Sequence, residues 1–174
     1  MKIVTTREMH LLEERCVLKG ITTDDLMENA GLGVARKVKQ LFGDLRQVPI
    51  LVLVGSGNNG SDGLVAARLL SDWGADVTVY VALPRKDEDP KRKLLEDRHV
   101  ACSMAGDDKE LSFLKAHLAK ASLVIDAILG TGTTRPVEGT LAEILSALVS
   151  ARASRPDMYL MALDLPTGLN PNTG

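Results

Sequence analysis

The apolar run PILVLVG at residues 49–55 passes directly into the glycine-rich stretch GSGNNGSDG at 55–63, and this junction constrains the fold more than any other segment. A short, continuous run of branched aliphatic residues reads as a strand buried on both faces. Such a strand needs helices on either side, and the chain supplies them in alternation. Residues 64–73 read as a helix, 76–82 (DVTVYVA) as a strand, 88–98 as a charged helix and 107–120 as an amphipathic helix. Residues 122–128 and 158–163 are further buried strands, 137–152 is a helix between them, and HVAC near residue 100 reads as one more short strand. The alternation implies βαβ units, an α/β fold with a mainly parallel sheet and helices on both faces.

Two helices precede this array. Thr5 and Glu8 have capping-box spacing, with Met9, Leu12 and Cys16 at helical intervals behind them, so a helix is expected over 6–19. Thr22 and Thr23 cap a second, in which Met27, Ala30, Val34, Val38 and Leu41 share one face. Gly31 and Gly33 inside it predict close helix packing, at a propensity cost of about 1 kcal/mol each.

The 174 residues suit one domain, and 45% apolar residues suffice for its core. Aromatics make up only 3%, which leaves little material for base-stacking platforms. The net charge of −2 provides no general basic field for nucleic acid or an anionic membrane. Cys16 and Cys102 lack metal-ligand spacing and read as reduced thiols of a cytoplasmic protein, a disulfide remaining the alternative. The amino terminus lacks the apolar core of a signal peptide, and no apolar run approaches the roughly 20 residues that span a bilayer. The polar stretch LPRKDEDPKRK at 83–93 reads as a solvated loop entering a helix.

Three loops carry the candidate chemistry. In the first, Gly55, Gly57 and Gly60 satisfy G-x-G-x-x-G, and amides at the following helix start can hold an anion such as a pyrophosphate. Two features oppose an ordinary nicotinamide dehydrogenase. The ribose-binding acid expected about 20 residues on is replaced by YVALP. Asp62 also puts a carboxylate where it would repel a pyrophosphate on the same helix end. Asp62 has two readings, a helix cap or a functional acid; Asn58 and Asn59 are equally open to a role as turn residues.

In the second loop, ASLVIDAILGTGTTRP at 121–136, Asp126 interrupts an apolar strand. A buried carboxylate needs donors, a cation or a functional reason, and loop amides are one such source of donors. Gly130, Thr131, Gly132, Thr133 and Thr134 supply flexible backbone and hydroxyls, and Arg135 reads as a phosphate partner or a surface ion pair. In the third loop Asp164 directly follows the strand MYLMAL, and Pro166, Thr167 and Gly168 make a turn. Loops converging at the carboxyl ends of parallel strands form the usual ligand crevice of open α/β sheets.

The segments LMENAG at 26–31, GSGNNGSDG at 55–63, VIDAILGTG at 124–132 and DLPTGL at 164–169 resemble, in order and over essentially the whole chain, the YjeF amino-terminal domain family of NAD(P)H-hydrate epimerases. The resemblance implies a three-layer αβα Rossmann-like fold and a homodimer. It implies inversion of the R and S forms of hydrated NADH or NADPH at C6 of the nicotinamide ring, and in many bacteria fusion to a kinase-like dehydratase domain. It implies a nucleotide contacted by Asn58, Asn59, Gly60, Ser61 and Asp62, by Gly130, Thr131, Gly132, Thr133, Thr134, Arg135 and Pro136, and by Asp164. It further implies a potassium ion held by Asn59, Asp126 and Thr167, with no redox cofactor because the nucleotide is itself the substrate. Ser61, Thr167 and Asn170 stand where glycine, serine and aspartate are usual. Family members continue through further strands of the sheet, so residues 1–174 are expected to be one domain incomplete at its carboxyl end.

With Asp126 held ionised by the cation, Asp164 becomes the candidate acid/base residue. The competing reading is a non-catalytic nucleotide-binding or protein-interaction scaffold of the same fold. A serine or cysteine hydrolase is disfavoured, since His10, His99 and His117 read as helix-face or core residues rather than members of a loop motif.

Overall fold

The computed structural model describes residues 5–86, 88–132, 136–171 and 173. Its elements are α1 (Thr6–Leu18), α2 (Thr23–Phe42), β1 (Pro49–Val54), α3 (Asn58–Asp72), β2 (Asp76–Val81), α4 (Pro90–Glu96), β3 (Ala101–Met104), α5 (Ser112–Leu118), β4 (Leu123–Ala127), α6 (Gly139–Ser154) and β5 (Tyr159–Ala162). The five strands form one parallel sheet in the order β3-β2-β1-β4-β5. The expected α/β architecture, αβα in three layers, is what the chain adopts.

Strand periodicity builds two cores. Ile50, Val52 and Val54 turn to one side of the sheet, where Ala35 and Val38 of α2 and Leu64, Ala67 and Leu70 of α3 cover them. Leu51 and Leu53 turn to the other, against Leu114 and Leu118 of α5 and Ile144 and Leu148 of α6. Each fully buried aliphatic side chain contributes roughly 1.5–3 kcal/mol, so the central strand is the most strongly held part of the fold.

Gly31 explains how α2 lies so close to α3. A Cβ there would come within 2.6 Å of Val65 Cβ and 2.9 Å of the Ala66 backbone nitrogen. Gly33 has open space around it, so the close packing read from both glycines belongs to Gly31 alone.

Several boundaries differ from the sequence reading. Helix α3 starts at Asn58 rather than near 64, because Gly57 takes the extended N-cap conformation and the helix beyond it packs Gly60, Ser61 and Gly63 into the core. Burial there overrides the poor helix propensity of NNGSDG. Helix α5 starts late because the Asp108 carboxylate accepts from the Phe113 and Leu114 amides and Leu111 takes a left-handed turn. His99 lies in another left-handed turn after α4 rather than on a helix face, and His117 stacks on Phe113 within α5.

Cys16 and Cys102 are unbridged thiols. Among the described residues no helix is long and apolar enough to cross a membrane. At the sheet edge formed by β5, Tyr159 and Leu160 are exposed, and the Tyr159 ring meets Phe42 edge-on at 5.3 Å.

Candidate active site

Strand order reverses at β1, whose neighbours β2 and β4 are reached by connections running in opposite directions across the sheet. Such a reversal opens a crevice at the carboxyl ends of the strands. All three predicted loops meet there.

The first loop begins with Gly55, whose amide donates to the Ala127 carbonyl at 3.1 Å. A Cβ on Gly55 would strike the Ile128 carbonyl, so only glycine lets the ends of β1 and β4 approach this closely. Gly63 lets α3 itself lie close on the sheet, since a Cβ there would sit 2.6 Å from Ala127 Cβ and 3.1 Å from Val54 Cγ1. The start of α3 then presents Asn58 and Asn59 in its first turn and Asp62 just beyond them. Asp62 lies in the second turn and not at the cap position, which disposes of its reading as a helix cap.

Asp126 is 5% exposed at the end of β4, and its hydrogen-bond partners are two backbone amides and a hydroxyl. Its Oδ2 accepts from the Thr167 amide at 2.8 Å, and its Oδ1 accepts from the Thr167 hydroxyl at 2.7 Å and the Ile128 amide at 3.2 Å. The Thr167 hydroxyl accepts in turn from the Leu129 amide at 3.1 Å. One carboxylate thereby ties the second loop to the third.

Asp164 is exposed, with φ +66°, and its Oδ2 accepts from the Thr131 amide at 2.8 Å. Gly130 stands between Asp164 and α3: a Cβ on it would fall against the Asp164 carboxylate and 3.3 Å from Asn59 Cβ. The missing side chain lets Asn59 and Asp164 share one wall. Both polar atoms of the Asn59 side chain are shielded from solvent and, among the described residues, meet no hydrogen-bond partner. An unsatisfied buried polar group costs about 1–3 kcal/mol, and its natural explanation is a ligand or ion that satisfies it.

Asp62 is half-buried and lines, with Asn58, a cleft of about 340 Å³ bordered by Glu13 and Val17 of α1 and Met27 of α2. Burial, then the negative charge of Asp164, pushes its carboxyl up to about 7 from an ordinary 3.8; Glu13 adds to the rise and Lys91 opposes it. The unfolded chain releases this proton from about pH 4 upward while the folded chain keeps it, so stability falls as pH rises from about 4 to about 7. Asp62→Asn mimics the protonated carboxyl and removes the penalty. The variant should melt higher than the parent above pH 7 and alike below about pH 4; equal melting curves at pH 8 would show that Asp62 bears no such penalty.

Of the other predicted contacts, Gly60 and Ser61 are buried in the first turn of α3, Gly132 and Pro136 are exposed, and Thr133, Thr134 and Arg135 lie outside the described residues. Arg85, placed by its sequence in a solvated loop, is instead 6% exposed by side chain and bonded to the first loop. It stands among Lys86, Lys91 and Arg92, and nothing in a polar stretch marks which cation turns inward. Its one distinguishing sign is its place, four residues beyond β2 at the ligand-binding edge.

Comparison with known proteins bears on this arrangement. The family model described as YjeF-related protein N-terminus matches residues 23–174. The NAD(P)H-hydrate epimerase of Elusimicrobium minutum is 34% identical over 180 residues, covering 100% of this chain and 79% of that protein. The bifunctional NAD(P)H-hydrate repair enzyme Nnr of Thermofilum pendens is 35% identical over 182 residues, covering 100% of this chain and 33% of the relative. The chain therefore spans about a third of the bifunctional relatives it matches. The crystal structure of yeast ynu0, YNL200c, superposes with a TM-score of 0.84 at 24% identity, covering 100% of this chain and 74% of that one, and shares its fold.

Proposed function

Since this chain belongs to the YjeF-related protein N-terminus family, we propose that it interconverts the R and S forms of hydrated NADH or NADPH at C6 of the nicotinamide ring. The observation that carries the reading is the Asp164 carboxylate, held at one oxygen by the Thr131 amide and set across Gly130 from the unsatisfied Asn59 side chain. A positioned carboxyl facing a buried amide without a partner among the described residues is what a reaction needing one proton carrier and a bound polar nucleotide calls for.

C6 of the hydrate bears a hydroxyl and adjoins the ring nitrogen. The carboxyl of Asp164 gives its proton to the departing hydroxyl, the C6–O bond breaks, water leaves, and the nitrogen lone pair stabilises the cation. Water then adds from the opposite face, and the carboxylate takes back a proton as the new C6–O bond forms. Thr131 fixes Oδ2 and leaves Oδ1 to carry that proton.

Potassium belongs to the proposal. Asn59, Asp126 and Thr167 offer oxygen atoms only, the donor set that a hard cation takes. The unpartnered Asn59 amide supports the fit, and Asp126 and Thr167, although bonded to each other, keep lone pairs for an ion. An ion there would offset the Asp126 charge. The names of the relatives support a place in nicotinamide nucleotide repair, with an NAD(P)H-hydrate dehydratase as the functional partner, fused or separate. The reading includes a cytoplasmic homodimer.

Incubation with one pure hydrate epimer tests the reading. Inversion should exceed the spontaneous rate and be faster in potassium than in sodium. Inversion at the spontaneous rate, with nucleotide binding retained, would establish the scaffold reading instead; equal rates in the two salts would remove the cation site.

A further inference from the structure

The Arg85 guanidinium is bonded on every side. Its Nε donates to Asp89 Oδ2 at 2.7 Å, Nη2 to the Ser61 hydroxyl at 2.9 Å, and Nη1 to the Gly55 carbonyl and, at 3.3 Å, to the Gly57 carbonyl. The side chains of Arg85 and Asp89 are 6% and 9% exposed. Asp89 also accepts from the Lys91 amide at 3.0 Å, capping α4 and fixing the anchor. A guanidinium so far from water is retained only where its planar fork is matched by acceptors.

The acceptors on one side belong to the turn between β1 and α3 and to the first turn of α3 itself. Gly60 fits that turn to the arginine, since a Cβ on it would sit 2.6 Å from Nη1 and against the Gly55 carbonyl. No peptide bond among the described residues is cis. In a trans peptide the carbonyl and the following N–H point opposite ways. With the Gly55 and Gly57 carbonyls drawn toward Arg85, the Ser56 and Asn58 amides are directed away from it.

We propose that Arg85 is the positioning residue of the nucleotide-binding turn, its guanidinium locking residues 55–61 so that α3 presents Asn58, Asn59 and Asp62 to the substrate. The inference rests on the proposed reading of the crevice. With its charge matched by Asp89 and its donors taken up by the turn, Arg85 acts through the backbone rather than as a ligand of the nucleotide. Charge alone is therefore insufficient: lysine cannot span the turn and Asp89 together.

The test measures KM and kcat for inversion, together with NADPH affinity by calorimetry, in the unaltered chain and in Arg85→Lys, Arg85→Met and Ser61→Gly. A lost hydrogen bond to a charged donor corresponds to a change of about tenfold or more. Both arginine variants should raise KM and weaken NADPH binding by at least that factor with kcat within about threefold, and Ser61→Gly should have a smaller effect that disappears in the Arg85→Met background. Should Arg85→Met not fold, Arg85→Lys and Ser61→Gly carry the test. Unchanged KM and affinity in folded arginine variants, or full rescue by lysine, would overturn the positioning role. Failure of the unaltered chain to invert the hydrate would count against the reaction, while the NADPH arm would still judge Arg85.

Discussion

Replacing Asp164 by asparagine is expected to leave the fold intact and slow epimerisation by about two to four orders of magnitude, the contribution of a positioned acid/base group. The fold should survive for two local reasons. The amide oxygen of asparagine can still accept from Thr131, and the left-handed backbone at φ +66° is one that asparagine tolerates better than most residues. What asparagine cannot do is give and take a proton. Inversion kinetics at saturating substrate, beside a melting curve, separate the two effects. Undiminished kcat would remove Asp164 from the acid/base role and move attention to Asp62, a second carboxyl at the mouth of the crevice.

Asp126→Ala should be the costliest substitution in the site for stability. Three donors lose their acceptor: the Thr167 amide, the Thr167 hydroxyl and the Ile128 amide. The Ile128 amide is buried and the Thr167 donors are part-buried, so at about 1 kcal/mol for each the loss should be about 3 kcal/mol. For a domain of this size that is a fall of roughly 6–12 °C in Tm. Thr167→Val removes the hydroxyl and leaves the backbone bond to Asp126, so its melting point should lie between those of the parent and Asp126→Ala. Melting of Asp126→Ala at the parent temperature, without potassium, would mean that hydrogen bonding does not account for the buried carboxylate and that the second and third loops are held by other contacts.

These two aspartates were legible in the sequence for different reasons. Asp126 interrupts an apolar run, and the cost of burying a carboxylate demands partners; sequence alone left open whether they are amides or a cation. The structure supplies the amides and the threonine hydroxyl, and it leaves the Asn59 side chain without a hydrogen-bond partner among the described residues. Asp164 was visible by position, directly after a strand, because parallel sheets place ligands at that edge. Its partner Thr131 stands 33 residues earlier and is joined to it only by the fold.

The sequence by itself determined the alternation of strands and helices, the parallel sheet and the edge at which chemistry gathers, since these follow from periodicity, from where apolar runs stop and from which acids interrupt them. Only the tertiary structure decided where α3 begins, which of two glycines seats one helix on another, how strongly Asp62 is pushed toward neutrality, and that Arg85 turns inward. Each of those depends on neighbours distant in the chain. Helix α3 starts early because packing outweighs a propensity of about 1 kcal/mol per glycine. Arg85 is buried because Asp89 and the turn at 55–61 together offer acceptors for its whole fork, a match that exists only once β1 and β2 lie side by side.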